Sequence, residues 1–227
     1  MRISVVVPLY NEEEGAKNTI LGLDRYLKKI CEKYEIIAIE SGSTDNTPRI
    51  IDELAKKLKN VKALHQKQRM GVGNAIREGY KNCRYDWVWY RDGDNPYPVE
   101  ELGKALPYTK DYDAVIAYKL GKRENFTRWF LSFGYNILIK TLFRLKFRDI
   151  NYSYKFIKKE MLDKLDLRSN IWFIDSEILI ELKKNKARVK EIPVRYHIRK
   201  EGSSKVTNYP KVVMDLLREI AEYMKRK

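Results

Sequence analysis

Two acidic side chains follow an aromatic stretch of the sequence. Asp92 and Asp94 stand one residue apart, directly after the apolar run Trp87–Tyr90. Carboxylates placed this way at the end of a strand can both face one divalent cation, and Mg²⁺ or Mn²⁺ combines few protein carboxylates with substrate phosphates. A solvated turn is the alternative interpretation. The pattern indicates a metal site for a phosphorylated ligand if neighbouring elements bring further polar groups to it.

Polar segments of similar character follow two other apolar runs. They are Pro8-Leu9-Tyr10-Asn11-Glu12-Glu13 and Glu40-Ser41-Gly42-Ser43-Thr44-Asp45. One of Ser43, Thr44 and Asp45 is expected to cap the helix that follows. Free amides at a helix start also bind phosphates, so capping and ligand binding are compatible.

Strands and helices alternate through the first half of the chain, and this alternation positions the three polar segments. The β-branched run in Ile3–Leu9 predicts a strand buried on both faces, and the apolar residues three or four apart in Ala16–Cys31 predict the helix that follows it. The predicted strands are Ile3–Leu9, Glu35–Ile39, Val61–Leu64, Trp87–Tyr90 and Ala114–Tyr118, and the predicted helices are Ala16–Cys31, Pro48–Leu58 and Gly73–Lys81. Such alternation predicts an α/β fold with a mainly parallel sheet and right-handed crossovers. Ligands bind at the carboxyl ends of such strands, where all three segments are expected.

Composition and charge narrow the class of protein. The chain has 227 residues, 44% of them hydrophobic, which is enough for one sizeable core. A net charge of +15 favours anionic partners such as nucleotides or acidic lipid surfaces. Nucleic acid is not expected, because no nucleic-acid-binding motif is present. The two cysteines, Cys31 and Cys83, indicate reduced thiols in a cytoplasmic protein. The sequence contains no uninterrupted run of 18 apolar residues, so no membrane span is predicted.

Several motifs resemble, in their order, those of a known enzyme family. VVVPLYNEEEG, ESGSTDNTPRII, RMGVGNAIREG and DGDNPYP are similar to the motifs of family 2 glycosyltransferases, which have the GT-A fold and use nucleotide sugars. Later segments resemble dolichyl-phosphate mannose synthases and related polyprenyl-phosphate glycosyltransferases: DINYSYKFI, WFIDSEIL and RKEGSSKV. The resemblance implies a nucleotide-sugar-binding core at residues 1–125 and an acceptor-side part at residues 126–227 of the same domain.

The resemblance also implies a role for individual residues. The nucleotide sugar is expected to bind Pro8, Tyr10, Asn11, Glu12, Glu40, Ser41, Gly42, Ser43, Gly71, Gly73, Asp92 and Lys119. Mg²⁺ or Mn²⁺ is expected at Asp92 and Asp94, and the acceptor phosphate at Arg128, Ser132 and Lys155. A mobile loop with Arg199 and Lys205 is expected to close over the phosphates, with a solvated surface loop as the alternative. Asp94, Arg128, Arg199 and Lys205 are therefore the predicted catalytic residues.

The chain departs from the family pattern at several positions. Glu40-Ser41 replaces an Asp-Asp pair, so one acid that would contact the base or ribose is missing, and Pro96 replaces a Gln. Ala117-Tyr118-Lys119 replaces Gly-Ser-Arg, and Tyr152-Ser153-Tyr154-Lys155 replaces Ser-Gly-Phe-Arg. These departures leave the donor base open. A degenerate module that binds a sugar nucleotide or a membrane without catalysis is one alternative.

Two later segments are amphipathic. In residues 126–149 a polar residue recurs every fourth position: Arg128, Ser132, Asn136, Lys140, Arg144 and Arg148. A four-residue step drifts by about 40°, so two shorter helices broken near Gly134 or Lys140 are predicted instead of one. We expect these helices at the interface of an anionic membrane, with a buried helix pair as the alternative. A C-terminal helix with apolar residues from Val212 to Met224 is expected mainly to pack on the core.

The resemblance implies a metal-dependent inverting transfer of a hexose from GDP-mannose or a UDP-sugar to polyprenyl or dolichyl phosphate. The protein would act peripherally at the cytoplasmic face of a membrane. A lipid phosphate is already mostly ionised at neutral pH, because its second pKa is about 6, and it needs no protein base. A hydroxyl acceptor, the other alternative, would need a base, for which Asp175 and Glu177 are the candidates. Ion pairing with nearby Lys and Arg is the structural alternative for both acids.

Overall fold

The computed structural model describes residues 1–94, 97–120, 126–195 and 209–226, with the backbone alone for residues 126–130. One sheet of seven strands forms the centre of the described chain. The strands are β1 (Arg2–Leu9), β2 (Lys33–Ser41), β3 (Val61–Gln66), β4 (Trp87–Tyr90), β5 (Ala114–Leu120), β6 (Lys155–Lys158) and β7 (Val189–Arg195). The helices are α1 (Ala16–Ile30), α2 (Thr47–Lys57), α3 (Val72–Lys81), α4 (Phe126–Phe143), α5 (Lys159–Leu162), α6 (Ile174–Lys184) and α7 (Tyr209–Met224), with 3₁₀ turns at Val99–Lys104 and Leu106–Tyr108.

The sheet is mainly parallel, as predicted. Its strand order is β3-β2-β1-β4-β6-β5-β7, and β6 alone among these strands runs antiparallel to its two neighbours. Strands β1 to β4 therefore end at the same edge of the sheet, where their carboxyl-end loops meet. Strands from both parts of the chain, residues 1–125 and 126–227, contribute to this sheet.

Helices cover both faces of the sheet. In β1, Val5 and Val7 face the side of α1 and α2, whereas Val6 faces the side of α3, α6 and α7. All three valines are fully buried, which explains the unbroken β-branched run of this strand. The fold positions the carboxyl-end loops by holding β1 rigidly between two apolar layers.

Two predicted features of the strand set were wrong. The predicted set ended with the strand that begins at Ala114, yet β6 and β7 add two further strands beyond it. The β6 strand has only four residues, and β7 contains Pro193 with several charged side chains, so neither presents a clear apolar pattern. The second strand also extends to Ser41, which places Glu40 and Ser41 inside the sheet rather than in the loop after it.

The predicted break in the segment 126–149 was also wrong. A single helix, α4, runs past Gly134 and ends at Phe143, after which Arg144 adopts a positive φ of 51°. Its polar residues partly serve the protein itself, because Asn136 Oδ1 accepts from Ile150 N (3.0 Å) and Lys140 Nζ donates to Arg148 O (2.9 Å). Ile139 is buried, whereas several apolar residues of α4 are exposed: Phe133, Ile137, Leu138 and Leu142.

The C-terminal helix α7 packs on the core by one narrow face. Glu219, Ile220 and Tyr223 are buried, and the Tyr223 ring lies 5.6 Å from the rings of both Phe143 and Phe173. Leu216 is partly buried against the same core, whereas four other apolar residues of α7 are exposed: Val213, Met214, Leu217 and Met224. Core packing, the expectation for this helix, holds for Ile220 and in part for Leu216, but not for Val213, Leu217 and Met224. No helix within the described residues is long and apolar enough to cross a membrane.

Candidate active site

The loops after β1 and β2 bind each other through reciprocal hydrogen bonds. The backbone N–H of Asn11, a residue with a positive φ of 51°, donates to Ser43 Oγ (3.0 Å), and the backbone N–H of Thr44 donates to Asn11 Oδ1 (2.8 Å). Asp45 Oδ1 accepts from Thr47 N (2.9 Å) at the first residue of α2, although the N-cap position itself is Asn46, one residue after the three candidates, and its side chain forms no cap hydrogen bond. The structure therefore brings together residues of the first two loops that were predicted to bind the nucleotide sugar.

Glu40 and Ser41 contact side chains of β3 that the sequence analysis did not single out. The parallel register pairs Glu40 with His65 and Ser41 with Gln66. Ser41 Oγ donates to Gln66 Oε1 (2.7 Å), and His65 Nδ1 lies 3.5 Å from Glu40 Oε2. Glu40 also accepts a hydrogen bond from Ser43 N. The register of two neighbouring parallel strands was the signal that could have identified His65 and Gln66.

The segment after β3 closes over the first two loops. The guanidinium of Arg69 lies 4.1 Å from the centre of the Tyr10 ring. Gly42 has a φ of 66°, and a Cβ there would lie 2.5 Å from Arg69 N, so only glycine permits this approach. Tyr10, Gly42 and Arg69 thus form one continuous surface at the carboxyl ends of the strands.

Gly71 and Gly73 lie against a distant segment of the chain, residues 169–173. A Cβ would lie 2.3 Å from Asn170 O at Gly71 and 2.7 Å from Ser169 O at Gly73. The amide of Gly73 donates to Ile171 O (3.1 Å). These glycines allow the backbone at the start of α3 to contact the backbone of residues 169–171. The contact fixes the position of α3 just after the residues that carry Arg69.

Replacing Gly71 by alanine is expected to destabilise the protein strongly. Gly71 has φ 93° and ψ 155°. Residues other than glycine essentially never adopt these backbone angles. The backbone strain in the alanine variant costs about 3 kcal/mol, and the clash with Asn170 adds to it. Urea unfolding of Gly71→Ala measures the loss. Gly134→Ala is the matched control, because nothing lies within 4 Å of its added Cβ in α4 and it should stabilise by roughly 0.5 kcal/mol. A loss at Gly71 no larger than the change at Gly134 would contradict the prediction.

Asp92 and Asp94 lie where β4 ends. The Tyr90 hydroxyl donates to Asp92 Oδ1 (2.9 Å), and Thr19 Oγ1 donates to Gly93 O (3.0 Å). Burial and the neighbouring charge of Asp94 raise the pKa of Asp92, while hydrogen bonds from Ser153 and Tyr90 oppose the rise. A Cβ at Gly93 would lie 2.8 Å from Pro8 O, so the acidic pair sits directly against the end of β1.

The acidic pair fits a divalent cation as part of a larger complex. Asp92 and Asp94 are both half-buried, and two neighbouring carboxylates that repel each other are stabilised by a cation between them. Within the described ranges no group of three or more His, Cys, Asp or Glu side chains could hold a metal by itself. Magnesium-type ions commonly take one or two carboxylates, with phosphate and water in the other positions. Asp92 and Asp94 are compatible with that donor set.

A buried arginine directly precedes the acidic pair. Arg91 has no exposed surface, its Nη2 donates to Tyr97 O (3.1 Å), and its guanidinium lies 4.9 Å from the Tyr97 ring and 5.2 Å from the Trp89 ring. Burial lowers the pKa of Arg91, opposed by the negative charges of Asp94 and Asp92 among others. The sequence analysis missed Arg91, although a cation next to two acids was a visible signal.

Lys155 lies behind the acidic pair rather than at the surface. Its side chain is 1% exposed and contacts Asp175 in an ion pair. Its ammonium also donates to Tyr152 O (2.6 Å). Burial raises the pKa of Asp175, Lys155 opposes the rise, and the charge of Asp92 adds to it. The contacts of Lys155 favour a positioning role over the predicted contact with an acceptor phosphate.

The two candidate bases differ in surroundings. Glu177 has no exposed surface, accepts from Ser169 N (2.7 Å) and Arg168 N (3.0 Å), and pairs with Arg226 (2.7 Å). Burial raises the pKa of Glu177, and these hydrogen bonds oppose the rise. Such contacts favour a structural role for Glu177 and leave Asp175 as the better placed of the two acids.

Several predicted residues are described in part or not at all. Lys119 Nζ lies 5.4 Å from the Tyr152 ring, and Ser132 is half-buried in α4. Arg128 is described by its backbone alone, one helical turn before Ser132. Pro96, Arg199 and Lys205 lie outside the described residues.

Comparison with known families and proteins gives consistent matches. The model of the family described as Glycosyl transferase family 2 matches residues 4–166. A dolichol-phosphate mannosyltransferase of Pyrococcus furiosus is 31% identical over 99% of this chain and 64% of its own length. Glycosyltransferase AglD of Haloferax volcanii is 29% identical over 97% of this chain but only 35% of its own length. The chain thus spans less than two thirds of both relatives.

Further similarity appears in another curated protein and in a solved structure. A dolichyl-phosphate beta-glucosyltransferase, ALG5D of Trichomonas vaginalis, is 26% identical over 95% of this chain and 72% of its own length. The glucosyl-3-phosphoglycerate synthase of Mycobacterium tuberculosis, solved with Mn²⁺, uridine diphosphate and phosphoglyceric acid, superposes with a TM-score of 0.75. It is 19% identical over 99% of this chain and 78% of that chain, which shows the shared GT-A fold. With its sheet, its carboxyl-end loops and the family match, the chain belongs to glycosyl transferase family 2.

Proposed function

We propose that this chain transfers a hexose from a nucleotide sugar to a polyprenyl or dolichyl phosphate at a membrane surface. Relatives named as dolichol-phosphate mannosyltransferase and dolichyl-phosphate beta-glucosyltransferase support a lipid phosphate as the acceptor. The structural observation that carries the proposal is the set of exposed apolar side chains on α4 and α7, two helices that pack on the same side of the sheet. GDP-mannose and UDP-sugars are the proposed donors.

The nucleotide sugar would bind across the loops that follow β1, β2 and β3. Tyr10, Asn11 and Gly42 line this surface with Arg69, and Glu40 and Ser41 lie beneath it at the end of β2. Asp92 and Asp94 would hold Mg²⁺ or Mn²⁺, which when bound offsets the negative charge of the donor diphosphate. Arg91 adds a buried positive charge next to the same two carboxylates.

The acceptor would supply its own nucleophile. A lipid phosphate is mostly ionised at neutral pH because its second pKa is about 6, so no protein base is needed. Its oxygen would attack the anomeric carbon as the bond to the nucleoside diphosphate breaks, inverting the configuration in one displacement. The protein then has to position two anionic groups against their mutual repulsion. Arg128, Ser132, Arg199 and Lys205 are the proposed contacts for those phosphates.

The membrane would be met by the outward faces of α4 and α7. Met214 is 70% exposed and Leu217 is 52% exposed on α7, and both helices border the same face of the sheet. Exposed apolar groups of an interfacial helix enter the boundary between headgroups and acyl chains, and basic residues lie within α4 (Arg128 and Lys140) and directly after α7 (Lys225 and Arg226). A net charge of +15 favours an anionic surface. We place this surface on the cytoplasmic side, where a reducing environment suits the two free thiols, Cys31 and Cys83.

Transfer of labelled sugar tests the proposal. Labelled GDP-mannose, UDP-glucose and UDP-galactose, each with Mn²⁺, are incubated with polyprenyl phosphate in anionic vesicles, and with polyprenol or a soluble glycan instead. Label is expected in the polyprenyl phosphate fraction alone, from one of the donors. Label on the glycan would favour the hydroxyl acceptor, with Asp175 as base. No transfer from any donor would favour the non-catalytic module.

The same assay tests the membrane surface. Leu217→Glu places a charge on the exposed face of α7 and is expected to lower transfer to acceptor in vesicles roughly 10-fold, since it removes about 1.5 kcal/mol of apolar burial. Acceptor dispersed in detergent should be used at an unchanged rate. Asn18→Glu adds the same charge on exposed α1, on the opposite face of the sheet, and serves as the control. Equal losses for both variants would contradict the placement of the membrane.

A further inference from the structure

A buried carboxylate of the C-terminal helix binds the backbone of a distant segment. Glu219 of α7 is 8% exposed. Its Oε1 accepts from Ser169 Oγ (2.8 Å), Asn170 N (2.8 Å) and Ile171 N (2.9 Å). Its Oε2 accepts from Trp172 N (2.9 Å) and Phe173 N (3.0 Å). One side chain thus satisfies four consecutive amides in the turn that leads into α6.

The bound segment, residues 169–173, in turn supports the start of α3. The amide of Gly73 donates to Ile171 O (3.1 Å), and the amide of Asn74 donates to Asn170 O (2.9 Å). Arg77 Nη1 also donates to Asn170 Oδ1 (2.7 Å). Gly71 contacts the same Asn170 carbonyl so closely that no side chain fits between them. The segment therefore determines where α3 begins.

The start of α3 leads directly into the proposed donor surface. Arg69 stands two residues before Gly71, stacks on the Tyr10 ring at 4.1 Å and touches Gly42 through its backbone. A shift of the 169–173 segment would move the Gly71 turn, and with it the Arg69 side of the surface that receives the nucleotide sugar. Geometry of this kind affects binding even when the moved residue is far from the chemistry.

We propose that Glu219 is a positioning residue of the nucleotide-sugar site, acting through residues 169–173 and Gly71. The inference rests on the proposed function for the location of that site. In this role α7 supports the nucleotide-sugar site, in addition to the contact with the membrane proposed for its outward face. Asn170, which touches both Gly71 and the Glu219 carboxylate, is the residue through which the two are joined.

Nucleotide titration of three variants tests this role. Glu219→Ala is expected to weaken Mn²⁺-dependent binding of the cognate nucleoside diphosphate by about 10-fold, the lower end of what loss of an outer-shell contact costs at metal sites. Glu219→Gln keeps one acceptor oxygen and should lose less. Tyr223→Phe is the matched control, because it removes a buried hydrogen bond to Glu181 (2.7 Å) one turn along the same helix and keeps the ring that packs against Phe173. It should lower the melting temperature but leave nucleotide affinity within about two-fold.

Amide hydrogen exchange provides a readout that does not depend on binding. In Glu219→Ala the amides of Gly73 and Asn74 should exchange faster than in the unaltered chain, and in Tyr223→Phe they should not. Unchanged nucleotide affinity in Glu219→Ala, or equal changes in Glu219→Ala and Tyr223→Phe, would overturn the inference alone. No nucleotide binding by the unaltered chain would overturn the proposed function and this role with it.

Discussion

Asp94→Ala is expected to remove Mn²⁺-dependent nucleotide binding almost completely. Asp92 and Asp94 are the only two acids at the end of β4, and no larger cluster in the described parts of the chain could replace either as a ligand. Losing an outer-shell partner costs metal sites up to about 100-fold, so loss of a direct ligand should cost at least as much. Calorimetric titration with GDP, UDP and CDP, each with and without Mn²⁺, measures the effect and names the donor base.

Asp163→Asn is the control for this experiment. Asp163 is an exposed acid that pairs with Lys159, the residue directly after β6. Because β6 is antiparallel to β4, the end of β6 lies next to the start of β4. Asp163 is therefore at the opposite edge of the sheet from the acidic pair. It should bind nucleotide as the unaltered chain does. Binding that is independent of Mn²⁺, or that survives in Asp94→Ala, would show that the acidic pair does not hold the metal.

Lys155→Met is expected to cause a large loss of stability. Lys155 is 1% exposed and Asp175 is 15% exposed, so the variant leaves a mostly buried carboxylate without its cation. Breaking a buried ion pair in this way costs about 3 kcal/mol or more. For a chain of this size the loss corresponds to a decrease in melting temperature of roughly 6 to 12 °C. Thermal and urea unfolding measure it.

Two further variants separate the buried pair from a general effect of lysine removal. Lys159→Met breaks the exposed pair with Asp163 and should cost less than about 0.5 kcal/mol. Lys155→Met combined with Asp175→Asn removes both charges and should recover at least about half of the loss, since the penalty comes from the unpaired charge. A double variant no more stable than Lys155→Met would contradict this explanation.

The core of the fold was predictable from local pattern. Strands β1 and β2 are β-branched runs buried on both faces, and such runs alternate with helices whose apolar residues recur every three or four positions. This pattern is written in consecutive residues, so it identifies the strands, their parallel arrangement and the edge where Asp92 and Asp94 lie. The strands β6 and β7 lack it, because their place in the sheet depends on neighbours far away in sequence.

The use of each charged side chain was decided by the tertiary structure. The sequence determined that the chain has an α/β sheet with polar segments at its strand ends and apolar helices after it. The sequence could not show which partners the buried charges have. These partners are Asp175 for Lys155, Arg226 for Glu177 and the segment 169–173 for Glu219. The physical reason is that a buried charge is tolerated only beside partners, and those partners lie 20 to 49 residues away in the chain. Only folding determines which of them it meets.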